Sequence, residues 1–233
     1  MLIIGHRGSQ GTKPENTIAS LREAMHADAD MIEFDVRLTR DRVPVLSHNL
    51  HLYGTRKREL AFLRRYTLAE LQRRTAGSEY PITTLDMALK ECFGRIYLNI
   101  ELKEASAVIP TLEVVSKYTK TEHDWDSLLF SSFKPLALRA IRKRIPHAAL
   151  GMLHHRNPLG FVGWHKVLDL SAVGFHRLYI NTIALEVAKR LGLFTYAYTV
   201  NRKSAAEKLA RQGIDGIVTD YPAQMAKDLE AKR

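Results

Sequence analysis

Apolar residues along this chain arrive in two rhythms. Short runs rich in Val, Ile, Leu and Phe alternate with longer stretches whose apolar residues recur every three or four positions. The first rhythm fits strands covered on both faces, and the second fits amphipathic helices. Strands are expected near Leu2–Gly5, Met31–Leu38, Ile96–Leu102, Ser127–Ser131, Ala149–Leu153, Ala172–Phe175, Phe194–Thr199 and Gly216–Thr219. Helices are expected near Thr17–Ala27, Leu85–Cys92, Ala107–Tyr118, Pro135–Arg144, Ile183–Leu191, Arg202–Gln212 and Pro222–Ala231, with a weaker signal over Asn157–Asp169. Eight strands separated by helices imply a parallel sheet, and that number is the strand count of a (β/α)8 TIM barrel. A doubly wound sheet is the alternative α/β architecture. The longest gap between strands, Asn49–Ile82, follows a short extension at Val43–Ser47 and holds a basic helix near Leu68–Arg73. It reads as a short insertion or long βα loop on the active-site side of a single-domain barrel covering residues 1–233.

The pattern breaks where charged residues occupy one face of a strand. In the second strand Ile32, Phe34, Val36 and Leu38 share one face, while Glu33 and Asp35 share the other. In the third strand Leu98, Ile100 and Leu102 oppose Glu101 and Lys103. Two acids on the inward face of a parallel strand are costly without a cation. Three carboxylates from adjacent strands can converge on one hard ion, Mg²⁺ or Ca²⁺, and oxygen ligands argue against zinc. His6 ends the first strand and His48 follows the second, and both can exchange protons near neutral pH. Arg7 and Lys103 are suited to a phosphate oxygen. Strand 7 places Tyr196 and Tyr198 on one face, as barrel filler or as an aromatic pocket wall. The set suits phosphoryl transfer.

Charge and composition narrow the field. The 233 residues carry 35 Lys and Arg against 25 Asp and Glu, a formal net charge of +10. Much of the excess lies in Arg56, Lys57, Arg58, Arg64, Arg65, Arg73 and Arg74, and again in Lys134–Arg144. These runs read as solvated helix faces or as a field drawing in an anionic substrate. Aromatic residues are not interleaved with them, so nucleic acid is not an expected partner. No stretch matches a membrane helix, and the single cysteine, Cys92, permits no intrachain disulfide. A cytoplasmic protein acting on a small molecule is expected.

The ordered motifs His6-Arg7-Gly8, Pro14-Glu15-Asn16-Thr17, Glu33-Phe34-Asp35-Val36, Pro44-Val45 with His48, and Asn99-Ile100-Glu101-Leu102-Lys103 resemble the glycerophosphodiester phosphodiesterase family. Thr199-Val200-Asn201 and Gly213 to Asp220 resemble its last two strands. The resemblance implies a (β/α)8 barrel and a divalent cation held by Glu33, Asp35 and Glu101. It also implies His6 and His48 as the acid–base pair, Arg7 and Lys103 near the phosphate, and hydrolysis to sn-glycerol 3-phosphate and an alcohol. Two positions depart from the family pattern: Asn49 stands where an acid usually follows the second histidine, and Tyr198 stands for a tryptophan. A lysophospholipase-D-like activity would need an apolar mouth, for which Phe62, Leu63, Phe161 and Trp164 are the candidates. A non-catalytic phosphate-ligand-binding barrel is the remaining reading.

Overall fold

In the computed structural model, which describes residues 1–52, 61–154 and 157–230, the apolar runs form the eight strands of a closed parallel barrel. These are β1 Leu2–His6, β2 Met31–Leu38, β3 Tyr97–Leu102, β4 Leu128–Ser132, β5 Ala149–His154, β6 Ala172–His176, β7 Phe194–Tyr198 and β8 Gly216–Thr219. Each pairs in parallel with its sequence neighbour, and β8 pairs with β1 to close the ring. The observed bounds lie within about a residue of those the pattern implies, the usual uncertainty of element ends. Arg56, Lys57, Arg58, His155 and the end of the expected last helix at Ala231 lie outside the described residues.

The helices are α1 Ile18–His26, α2 Leu68–Thr75, α3 Leu85–Cys92, α4 Val108–Val115, α5 Pro135–Arg142, α6 Phe161–Leu168, α7 Thr182–Arg190, α8 Lys203–Gln212 and α9 Pro222–Glu230. Their starts follow local chemistry. Thr17, Thr84 and Asn181 each accept a hydrogen bond from a first-turn amide, and Thr67 and Glu70 close a reciprocal capping box. Pro135 supplies the first turn of α5, where its missing N–H costs nothing. The weak signal over Asn157–Asp169 resolves into the shorter α6, stopped by Asp169 in the left-handed region at φ 48°. The expected helix Ala107–Tyr118 is also shorter, because 116–118 form a turn, with the amides of Lys117, Tyr118 and Thr119 bonding back to Val114 and Val115.

Alternation along the strands builds two layers of core. Ile32, Phe34, Val36, Leu98, Ile100 and Leu102 point outward and pack under the helices against Leu21, Leu85, Leu89 and Leu138. Cys92 belongs to this layer as filler, its thiol pushed up to about 12 mainly by burial. The inward positions Ile4, Leu129, Leu153, Ala172, Tyr196 and Val218 form a smaller cluster inside the barrel. This interior plug is packed rather than open, so the chemistry is confined to the ends of the strands. After β2 the chain turns back as a short antiparallel strand, Pro44–Leu46, paired through Arg37 and Val45. That return carries His48 to the mouth. Val45, Leu63, Leu71 and Ile82 tie the excursion down with their own small apolar cluster.

Candidate active site

Register sets the site. β1 and β2 place His6 beside Glu33, and β2 and β3 place Asp35 beside Glu101. Carboxylate oxygens of Glu33, Asp35 and Glu101 lie within 4.8 Å of one another, and all three residues are buried. Lys103 Nζ sits 2.6 Å from Asp35 Oδ1 and 2.5 Å from Glu101 Oε1. Arg7 Nε lies 3.2 Å from Asp35 Oδ2, its guanidinium donates to Glu15, and its backbone N–H donates to Glu33 Oε2 at 3.0 Å. Asn16 completes the cradle by donating from Nδ2 to Asp35 Oδ2 at 2.9 Å.

The charges in this cluster do not balance. Counting Glu15 on Arg7, four carboxylates face two cations, and the three central carboxylates respond unequally. Burial would raise Asp35, but Lys103 and Arg7 together with hydrogen bonds from Lys103 and Asn16 outweigh it and hold the carboxyl at about 2. Glu33 is pushed well up by burial and by the charges of Asp35 and Glu101. Glu101 is raised to about 7 by burial and then Asp35, against the pull of Lys103. One divalent cation among the three carboxylates removes this excess, and an all-oxygen donor set is what Mg²⁺ or Ca²⁺ takes. The residues therefore fit a hard divalent ion.

The two histidines are supported differently. His6 Nδ1 donates to Asp220 Oδ1 at 2.6 Å, and Gln10 Nε2 donates to the same oxygen at 2.5 Å. Asn201 holds the other oxygen of Asp220 through Nδ2 at 2.6 Å and receives the Asp220 backbone N–H. Burial would raise Asp220, yet these hydrogen bonds from His6, Gln10 and Asn201 bring it to about 2. A carboxylate on Nδ1 keeps the proton there and leaves Nε2 for exchange. His48 Nδ1 meets the neutral amide oxygen Asn49 Oδ1 at 3.2 Å, and Arg37 Nε donates to the His48 carbonyl at 2.9 Å. Burial, with the charges of Arg7 and Lys103, lowers His48 despite the opposing pull of Asp35.

His6, Arg7, Glu33, Asp35, His48, Glu101, Lys103 and Tyr198 all line one cavity of about 150 Å³. Every residue that the sequence offers for proton transfer, metal or phosphate is thus brought together. Tyr198 stands as a wall: its hydroxyl donates to the His154 carbonyl at 2.7 Å, and its ring meets Phe133 and His176 edge-on. Burial raises its phenol. In the sequence Asp220 and Asn201 stand out only within the motifs of the last two strands, and Gln10, in the loop after β1, and Arg37, on β2, carry no signal of their own. The four apolar candidates for a lysophospholipase-D-like mouth do not come together. Leu63 and Phe161 are buried in two different clusters and Trp164 packs against the core, leaving only Phe62 substantially exposed. Apolar character said that these side chains would be buried but not where.

Comparison with known proteins agrees with this geometry. The model of the glycerophosphoryl diester phosphodiesterase family matches residues 6–224. This chain belongs to that family. A glycerophosphodiester phosphodiesterase of Caldanaerobacter subterraneus subsp. tengcongensis is 34% identical over 233 residues, covering 95% of this chain and 94% of that one. An Oleispira antarctica phosphodiesterase, solved in complex with the product sn-glycerol-3-phosphate, superimposes with a TM-score of 0.89 at 29% identity, covering 99% of this chain and 97% of that one. A glycerophosphodiester phosphodiesterase from Thermotoga maritima gives a TM-score of 0.82 at 28% identity, covering 97% of each chain. In the family frame the two departures are local. Asn49 supplies the amide beside His48, and Tyr198 keeps an aromatic wall.

Proposed function

We propose that this chain hydrolyses glycerophosphodiesters to sn-glycerol 3-phosphate and an alcohol, with His6 and His48 as the acid–base pair and Glu33, Asp35 and Glu101 as ligands of a divalent cation. The observation that carries the reading is the strand register that gathers three buried carboxylates in the cavity both histidines line. When bound, a divalent cation supplies positive charge to the phosphoryl oxygens. Arg7 and Lys103 are raised despite burial, because Asp35 and its neighbours favour their charged forms, so they stay cationic and orient an anionic phosphodiester. One imidazole takes the proton of the attacking hydroxyl while the other protonates the leaving alkoxide. For His6 the exchanging atom is Nε2, since Nδ1 is committed to Asp220. Tyr198 and Phe133 close the side of the cavity against the non-reacting part of the substrate.

Sequence similarity and the Oleispira complex support glycerol 3-phosphate as the product. The buried lone cysteine suits a reducing compartment, and the cytoplasm is part of the proposal. Among the described residues no helix is long and apolar enough to cross a membrane. The test is release of glycerol 3-phosphate from a panel of glycerophosphodiesters in Mg²⁺, in Ca²⁺ and in chelator, beside Glu101→Gln. Turnover that chelator and the substitution both abolish supports the site, and the ranking across the panel names the preferred alcohol. Turnover insensitive to both contradicts it.

A further inference from the structure

Half of the barrel mouth exposes large apolar side chains. The loops and first helical turns after β4, β5, β6 and β8 present Leu136, Leu159, Leu178, Tyr179, Ile183 and Tyr221 to solvent. Leu136 is 64% exposed, Leu178 67% and Ile183 68%. Large aliphatic side chains left this open are ordinary when scattered singly but informative when gathered at one end of a molecule. β4, β5 and β6 are consecutive in the ring and β7 alone separates β6 from β8, so with the β7–α8 loop these segments form one arc around the catalytic cavity.

The same arc is basic. Lys134, Arg177 and Arg202 are exposed within it. Among the described residues of these loops and first turns, β7 to α8 included, the sole acid is Asp220, which is turned to His6 and Asn201. The loops at the opposite end of the barrel carry both signs, with Asp28, Asp30, Asp124, Asp126, Asp169 and Asp215 among the bases. Aliphatic tips among cations, free of competing acids, match a surface that is apolar beneath an anionic layer. A second copy of this chain would bring cation against cation, which disfavours self-association through this arc.

We propose that the β4–β8 arc of the mouth docks on an anionic phospholipid surface, with Leu178 and Ile183 entering the interface and Arg177 and Arg202 meeting the headgroups. The cavity would then face the bilayer. This surface goes beyond the proposed reaction and stands whatever diester the site cleaves.

Sedimentation of the full chain with sucrose-loaded vesicles tests it, using phosphatidylcholine alone and phosphatidylcholine with phosphatidylglycerol at 7:3. One cation at such a surface is worth about fivefold in partitioning. Binding to the anionic vesicles is expected to exceed binding to the neutral ones by about tenfold or more, and to weaken with salt. The double substitution Leu178→Asp and Ile183→Asp should lower it by about tenfold or more, and Arg177→Glu with Arg202→Glu by a similar factor. Hydrolysis of a soluble diester without vesicles should stay unchanged in all of these variants, which shows that they fold. No partition into anionic vesicles, or partition that the substitutions leave intact, overturns the proposal. Retention on polyuridylate without vesicle binding would assign the arc to nucleic acid. A concentration-dependent dimer lost in the Leu178/Ile183 variant would assign it to a second copy. Either result replaces the lipid.

Discussion

His6 and His48 line the same cavity, yet they are held in opposite ways. His6 leans on a carboxylate that Gln10 and Asn201 also hold, and that carboxylate lies 214 residues away in sequence. His48 leans on the adjacent residue, a neutral amide at 3.2 Å, and on an arginine that grips its backbone. The acceptor on His6 Nδ1 is an ionised carboxylate, whereas the acceptor beside His48 Nδ1 is a neutral amide. Burial and the nearby cations then leave His48 more readily neutral. Two residues of the same type in the same cavity can thus carry different support.

Substitution separates the roles of the two histidines, and the largest effects belong to the imidazoles themselves. His6→Asn or His48→Asn is expected to lower kcat by about 10²–10⁴-fold, the range of a lost general acid or base, measured at saturating substrate and cation. Asp220→Asn comes next. It should cost about 10- to 100-fold in kcat, as does loss of a residue that orients another, with KM little changed and the pH profile displaced. A loss confined to KM would show that Asp220 shapes the mouth rather than orients His6. Asn49→Asp should have the smallest effect, within about fivefold in rate. It should also shift the His48 limb of the pH profile upward, since a carboxylate beside imidazole favours the charged form. A downward shift would contradict the geometry.

The carboxylate cluster also ties stability to pH and to cation. Glu33 and Glu101 are raised in the folded protein, so the metal-free fold keeps protons that the unfolded chain has released. The stability of the metal-free protein should therefore fall as pH rises from the ordinary carboxylate range through about 7. Added Mg²⁺ or Ca²⁺ should raise Tm more at pH 8 than at pH 5, by about 5–10 °C at a hundredfold excess over Kd. Glu101→Gln should remove part of the pH dependence while weakening the response to cation. Differential scanning calorimetry with and without chelator reads both, and an equal response at the two pH values would count against a cation held by these carboxylates.

Much of this was legible in the residues. Period-2 alternation is a local property, so it showed which faces of β2 and β3 carry Glu33, Asp35, Glu101 and Lys103 before any fold was known. Order along the chain then placed both histidines at strand ends. The partner of His6 was hidden because Asp220 meets it only when β8 closes the barrel against β1. Arg37 was hidden for a similar reason, since its role depends on the backbone path of the return after β2. Phe62, Leu63, Phe161 and Trp164 misled because hydrophobicity reports burial without naming the layer.

The central claim is that His6 and His48 act on one phosphodiester in one site. A double-mutant cycle on glycerol 3-phosphate release tests it most directly, comparing His6→Asn, His48→Asn and the double variant at saturating cation. Residues that act as a unit are not additive, so the double variant should be about as slow as the slower single variant. Losses that multiply, or a single variant that keeps wild-type turnover, would contradict the two-histidine site.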